Sequence, residues 1–342
     1  MTSPSTDIDL RAIALVALTL SYILGAAVQT TKGPVGAAPL RLVQTIPMAG
    51  VEGRIDHLAI DLAARRLFIC ALGNGTLEVV DLEKGQRVQS VPGFKEPQGI
   101  VFMPKTKTVA VASGGDGRLT FLDGPPFKAA RTTSLGDDAD NVRYDPQHER
   151  IYVGYGDGAL AMVDALKGER IGEVPLEAHP ESFQPESTGR IFVNEASRAR
   201  VAVIDAEKKA VTSRWELGGP KANYPMALDE AHHRLFVATR QPPKLIVLDT
   251  GTGKIVASLD TDGDADDVFH DAARQRVYVI CGGGSVVVYD QASPDRYAER
   301  ARVRTAEGAR TGLFSPETGQ LFVAVPHRAS PVAEIRVFAT AP

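Results

Sequence analysis

The chain has 342 residues, with 38 Lys and Arg against 42 Asp and Glu, giving a formal net charge of −4. No run of Lys or Arg stands out, so the basic footprint needed to hold a phosphate backbone is missing and nucleic acid is excluded as a partner. A hydrophobic content of 44% with a single Trp suits sheets covered on both faces.

Residues 12–28 are apolar and uncharged, and Arg11 precedes them. The stretch is shorter than the roughly 20 residues of a membrane span and fits the apolar region of a secretory signal. Gly25-Ala26-Ala27 supply small residues near a cleavage point. Asp7 and Asp9 leave the leading segment poor in positive charge, so an uncleaved N-terminal anchor is the rival reading. Residues 29–38, with Gly and Pro, read as a linker. On either reading the chain is exported, periplasmic or secreted, and meets a membrane only through this segment. The expected division is 1–39 as signal or anchor plus linker and 40–342 as one folded domain.

From residue 40 onward a short phrase repeats. Arg66-Leu67-Phe68-Ile69 returns as Thr108-Val109-Ala110-Val111, Arg150-Ile151-Tyr152-Val153, Arg190-Ile191-Phe192-Val193, Arg234-Leu235-Phe236-Val237, Arg276-Val277-Tyr278-Val279 and Gln320-Leu321-Phe322-Val323. The steps between second residues are 42, 42, 40, 44, 42 and 44. The β-branched and aromatic content marks these runs as strands. An apolar run closed by Asp trails each of the first six, ending at Asp81, Asp123, Asp164, Asp205, Asp249 and Asp290; the seventh, 335–338, lacks the Asp. A turn and a further β-prone stretch follow, and one more strand precedes each phrase. Each unit therefore has four strands, A to D outward.

Radially arranged four-stranded units of about 40–45 residues are the blades of a β-propeller. Seven phrases predict an all-β, seven-bladed β-propeller, four antiparallel strands to a blade. The last unit has no fourth strand of its own, and residues 41–47 resemble the other D strands. The N-terminal strand is thus expected to complete blade seven and close the ring, sparing it an unfinished edge. Cys70 and Cys281 fall on strands B of blades one and six, too far apart for a bridge that needs Cα atoms within about 7 Å. Nothing in the pattern calls for an oligomer, and a monomer is expected.

Function in such a scaffold sits on loops that open around the channel, here the D-to-A and B-to-C connections. Eleven residues before each phrase anchor stand Asp56, Gln98, Asp140, Pro180, Tyr224, Asp266 and Arg310. Ten before stand His57, Gly99, Asn141, Glu181, Pro225, Asp267 and Thr311. The ligand-binding candidates drawn from these rows are Asp56, His57, Gln98, Asp140, Asn141, Glu181, Tyr224, Asp266, Asp267 and Arg310. Polar residues are ordinary at a wet channel, but like charge is concentrated in residues 136–141 and 260–267. Carboxylates so close repel unless they are solvated or neutralised by a cation. Alternate Asp residues in 260–267 suit Ca2+, although the run lacks the Gly and Glu of an EF-hand loop. His57 and His179 near the mouth offer nitrogen, whereas His232-His233 fall in an A-to-B turn on the opposite face. No nucleophile elbow, zinc-protease helix, Cys-x-x-Cys or phosphate-binding loop is present.

In residues 40–342 the strand-B phrases Ile151-Tyr152-Val153 and Ile191-Phe192-Val193-Asn194, with the Asp ending strand C, resemble bacterial YVTN-repeat β-propeller proteins. That resemblance implies an exported seven-bladed ring and no particular activity. A looser likeness is to the calcium-dependent lactonase propellers related to gluconolactonase, which hold a metal in the channel on Glu, Asn and Asp. It implies such a role for Glu181, Asn141 and Asp267, with Asp140 a further candidate ligand and Asp56 or Asp140 a base acting on metal-bound water. Two functions follow as expectations. The first is a binding propeller whose acidic mouth takes a cationic or polyhydroxylated small molecule or a basic protein segment, with no catalysis. The second is a hydrolase or lactonase dependent on a divalent ion, with Ca2+ the expected cofactor if one is held.

Overall fold

A computed structural model describes Met1 and residues 38–341. The expected signal or anchor at 12–28 lies outside the described residues. From residue 40 the chain forms seven four-stranded antiparallel sheets. Blade one runs outward through Leu58–Asp61, Arg66–Ala71, Thr76–Asp81 and Gln86–Pro92, and the next five repeat this order. The inner strand A of each blade contacts that of the next, and the last contacts the first, so the ring is closed.

The sequence character of each strand follows from its radius. Strand B is enclosed by neighbouring blades on both faces, so Leu67, Phe68, Ile69 and Cys70 are all fully buried and the run is continuously apolar. Strand D is the outer edge, and in Gln86–Pro92 partly buried and exposed positions alternate. Between adjacent blades lies an apolar cluster, one for each of the seven interfaces. The first joins blade seven to blade one through Ile46, Met48, Leu67, Ile69, Phe322 and Ile335.

The aspartates that end strand C shape the turn after it. Asp81 Oδ1 accepts from the backbone N–H groups of Glu83 (3.0 Å) and Lys84 (2.9 Å), and Asp164 Oδ1 does the same for Leu166 and Lys167. Across the sheet, Asp249 pairs with Arg234 of strand B at 2.8 Å, which links the two repeating landmarks.

Blade seven takes Gly312–Ser315, Gln320–Val325 and Glu334–Thr340 from the end of the chain and Leu40–Pro47 from its beginning. Leu42 pairs with Phe338 and Ile46 with Ile335, with the register slipping between Leu42 and Gln44. Leu42 is thereby 48% exposed while Ile46 is fully buried. Both cysteines are free and buried, Cys70 between blades one and two and Cys281 between blades five and six.

Candidate channel-mouth site

At one end of the channel the D-to-A segments converge on a cavity of about 360 Å³. All ten residues singled out from the sequence line it: Asp56, His57, Gln98, Asp140, Asn141, Glu181, Tyr224, Asp266, Asp267 and Arg310. Local irregularity aims several of them. The pairing of strands A and B shifts between Pro97 and Ile100, Pro180 and Phe183, Asn223 and Met226, and Ala265 and Asp267. Gln98, Glu181, Tyr224 and Asp266 occupy those intervals, where the ladder is interrupted and the side chain re-aimed. Blades two and three also approach closely here, since a Cβ on Gly99 would lie 1.9 Å from the Asp140 carbonyl oxygen.

The mouth is not the uniformly acidic surface that its loops suggest. Arg240 pairs with Asp266 at 2.6 Å and with Asp264 at 3.2 Å, while its guanidinium lies 3.9 Å over the Tyr224 ring. Arg310 pairs with Asp266 at 2.8 Å and Asp264 at 3.1 Å, and Arg54 meets Asp56 at 2.7 Å. The aspartates of the run 260–267 therefore meet several different partners. Asp260 faces Lys244, Asp262 faces Arg302, and the rest divide between the mouth arginines and the channel floor.

The floor is a polar knot. Asn141 Nδ2 meets His57 Nε2 at 3.1 Å, and Asn141 Oδ1 accepts from Arg143 Nη1 at 2.6 Å. Asp267 Oδ2 accepts from the Gly312 N–H at 2.7 Å, and His57 Nδ1 is 3.9 Å from Asp267 Oδ1. Here the ligand set expected from the looser family likeness divides. Asn141 has given its oxygen to Arg143, and Asp267 does not join Asp140 and Glu181. The third member of that cluster is His179: one donor atom each from Asp140, His179 and Glu181 lie within 4.8 Å of one another. With an imidazole among the donors, the preference moves from Ca2+ toward Zn2+ or Mn2+.

Among the described residues no arginine is within ion-pair reach of Asp140 or Glu181; Asp140 meets His179. His179 Nδ1 lies 2.7 Å from the Gly156 carbonyl, a contact that requires the proton on Nδ1. Nε2 is then turned to Asp140, 4.0 Å from Oδ2. Asp140 Oδ1 is buried without a hydrogen-bond partner. Burial and the charge of Asp140 push Glu181 up to about 7. Burial alone would lower His179, but Asp140, the Gly156 carbonyl, Asp138 and Glu181 outweigh it and raise it to about 9. Asp56 is raised to about 8 by burial, with Arg54 opposing and Asp140 and Asp266 adding. Asp267 is raised to about 7 by burial against the pull of His57 and the Gly312 N–H. The mouth thus holds more carboxylate than its arginines and its solvent can keep ionised, the condition under which a proton or a metal cation is taken up.

Sequence reasoning passed over Arg54, Arg143, Ser182 and Arg240. For Arg240 a signal existed. It stands five residues after its phrase anchor, where the other six blades have Leu72, Gly114, Gly156, Ala196, Gly282 and Pro326. A charge unique to that offset, near the end of strand B, was legible had the phrases been aligned.

No protein-family model matches the chain, and a search of curated proteins finds no match. Solved structures do resemble it. One chain of Kuenenia stuttgartiensis hydrazine synthase superposes with a TM-score of 0.74 at 16% identity, covering 83% of this chain and 95% of its own. A chain of the mitotic checkpoint complex superposes with a TM-score of 0.77 at 10% identity, covering 98% of this chain and 100% of its own. At these identities the likeness is one of fold, and it supports the seven-bladed ring.

Proposed function

We propose that this is an exported binding propeller whose channel mouth takes a polar small molecule together with a divalent transition-metal ion on Asp140, His179 and Glu181. The observation that carries the reading is the fixed orientation of His179. Its Nδ1–H is given to the Gly156 carbonyl, as a metal-bound histidine gives its second nitrogen, Nε2 is turned to Asp140, and Glu181 completes the cluster. The buried Asp140 Oδ1 without a hydrogen-bond partner is the oxygen such an ion would satisfy. Three protein ligands leave coordination positions open toward the cavity, where the hydroxyl or carboxylate oxygens of a ligand would complete the shell. A propeller of the mitotic checkpoint complex works within a protein assembly, and a protein segment carrying such oxygens is compatible with this mouth.

The open positions also favour a second reading, a metal-dependent hydrolase. The bound ion would supply an acidified water, and Asp56, ionised only as pH rises through about 8, would be the group that takes its proton.

One experiment addresses the metal in both readings. Protein stripped with EDTA is melted alone and with Zn2+, Mn2+ or Ca2+ restored. Since the ion binds the folded ring, a hundredfold excess over its dissociation constant stabilises by about 3 kcal/mol. A rise with Zn2+ or Mn2+ that disappears in His179→Ala and Asp140→Ala supports the site. No rise with any ion, with no metal found by elemental analysis, removes it. Turnover of lactone or ester substrates by the Zn2+ or Mn2+ form then separates the hydrolase from the binder.

A further inference from the structure

Below the polar knot the channel widens again. This second chamber, about 650 Å³, opens on the face of the A-to-B turns, where Pro104, Pro146 and Pro316 stand at its rim. Its walls are mostly apolar side chains of strand A, among them Ile60, Phe102, Tyr144, Leu228, Phe269 and Phe314. Nothing in the mouth site uses it. His57 and Asp267 face both chambers and form part of the floor between them.

At the inner end of this apolar wall stands Arg143, 5.7 Å over the Phe183 ring and with no carboxylate in ion-pair reach among the described residues. Arg143 Nη1 donates to Asn141 Oδ1 at 2.6 Å and to the Val142 carbonyl at 2.8 Å, and Nη2 donates to Ser182 Oγ at 3.4 Å. All three acceptors are neutral. A guanidinium has five N–H donors, so the Nε–H and one Nη2 hydrogen remain unclaimed among the described residues. Burial depresses the pKa of Arg143, and Asp267 and Asp140 offset this only as charges at a distance. At the opposite mouth Arg54, Arg240 and Arg310 each have a carboxylate within ion-pair reach. Arg143 instead lines the apolar chamber.

We infer that this chamber is a second ligand site, which takes a small monocarboxylic acid with an aromatic or aliphatic body. Its carboxylate meets the free Nε and Nη2 edge of Arg143, and its body lies among Phe102, Tyr144, Phe269 and Phe314. The planar fork of Arg matches a carboxylate in two parallel hydrogen bonds, and the charge-assisted pair supplies what the half-buried cation lacks. The volume falls in the range of ordinary small-molecule pockets, with one polar anchor fixing the orientation of a mainly apolar ligand. The mouth site and its metal play no part in this inference.

Calorimetry on the EDTA-treated full chain tests it with phenylbutyrate and phenylbutanol, which share a body and differ in the anion. The acid is expected to bind at least about tenfold more tightly than the alcohol, as a charge-assisted hydrogen bond in a desolvated site requires. Arg143→Gln should bring the acid down to the affinity of the alcohol. Val101→Trp, which fills the chamber from its wall, should abolish binding of both. If Arg143→Gln does not fold, the comparison of the two ligands on the unaltered protein, together with Val101→Trp, still decides. Equal affinities for acid and alcohol, no binding of either at millimolar concentration, an acid preference that survives Arg143→Gln, or binding that survives Val101→Trp would each overturn the assignment.

Discussion

Replacing Ile46 by Ala tests how much of the ring depends on its N-terminal strand. Ile46 is fully buried, pairs with Ile335 and packs in the cluster that joins blade seven to blade one, against Met48, Leu67, Phe322 and Val337. Truncating a buried Ile to Ala removes three carbons from water-free packing and leaves a cavity, at a cost of about 2–5 kcal/mol. In a domain of this size that lowers the melting midpoint by roughly 4–20 °C, taking about 2–4 °C per kcal/mol. Leu42, four residues earlier on the same strand, is 48% exposed, and Leu42→Ala should change stability by no more than about 0.5 kcal/mol. Deleting residues 40–48 withdraws Leu40, Ile46 and Met48 together, each buried, and opens the edge of strand C in blade seven. At about 1.5–3 kcal/mol for each side chain the loss approaches the whole stability of a typical domain, and the truncated ring should not fold cooperatively. Urea unfolding followed by circular dichroism measures all three variants. The closure argument fails if Ile46→Ala unfolds at the same midpoint as Leu42→Ala, or if the truncated chain melts like the intact one.

Further outcomes are expected. Asp56 has a native pKa of about 8 against an ordinary 3.8, so the folded state holds a proton that the unfolded chain releases; its contribution is therefore full below about pH 4 and lost as pH rises toward 8. In EDTA, Asp56→Asn should flatten that decline by a few kcal/mol, and an unchanged pH profile of urea midpoints would contradict it. Gly99→Ala sets a Cβ against the Asp140 carbonyl, so it should destabilise the ring and weaken the melting response to Zn2+; a full response in a folded variant would separate Asp140 from the metal. The two thiols are buried and their pKa values raised by that burial, Cys281 to about 11, so neither should react with a thiol reagent in native protein and both should react in denaturant.

Much of this molecule is determined by sequence alone, because a propeller repeats one local rule. Burial on both faces forces strand B to be apolar, and a backbone turn after strand C favours Asp. Phrases such as Arg150-Ile151-Tyr152-Val153 and residues such as Asp164 therefore recur at a fixed period and count the blades. The same period located the mouth, since a constant offset from each anchor brought Asp56, Gln98, Asp140, Tyr224, Asp266 and Arg310 to one cavity.

What the period could not decide was which mouth residues meet. Asp140 and Glu181 come from neighbouring blades, and only the ring sets them with His179 rather than with Asn141 and Asp267. The arginines that pair with Asp264 and Asp266 reach them from blades five and seven, a relation with no trace in local composition. The lone cation of Arg143 is likewise a fact about what does not lie nearby. Charge in a protein is settled by neighbours in space and by access to solvent, and both are fixed only when the blades close around the channel.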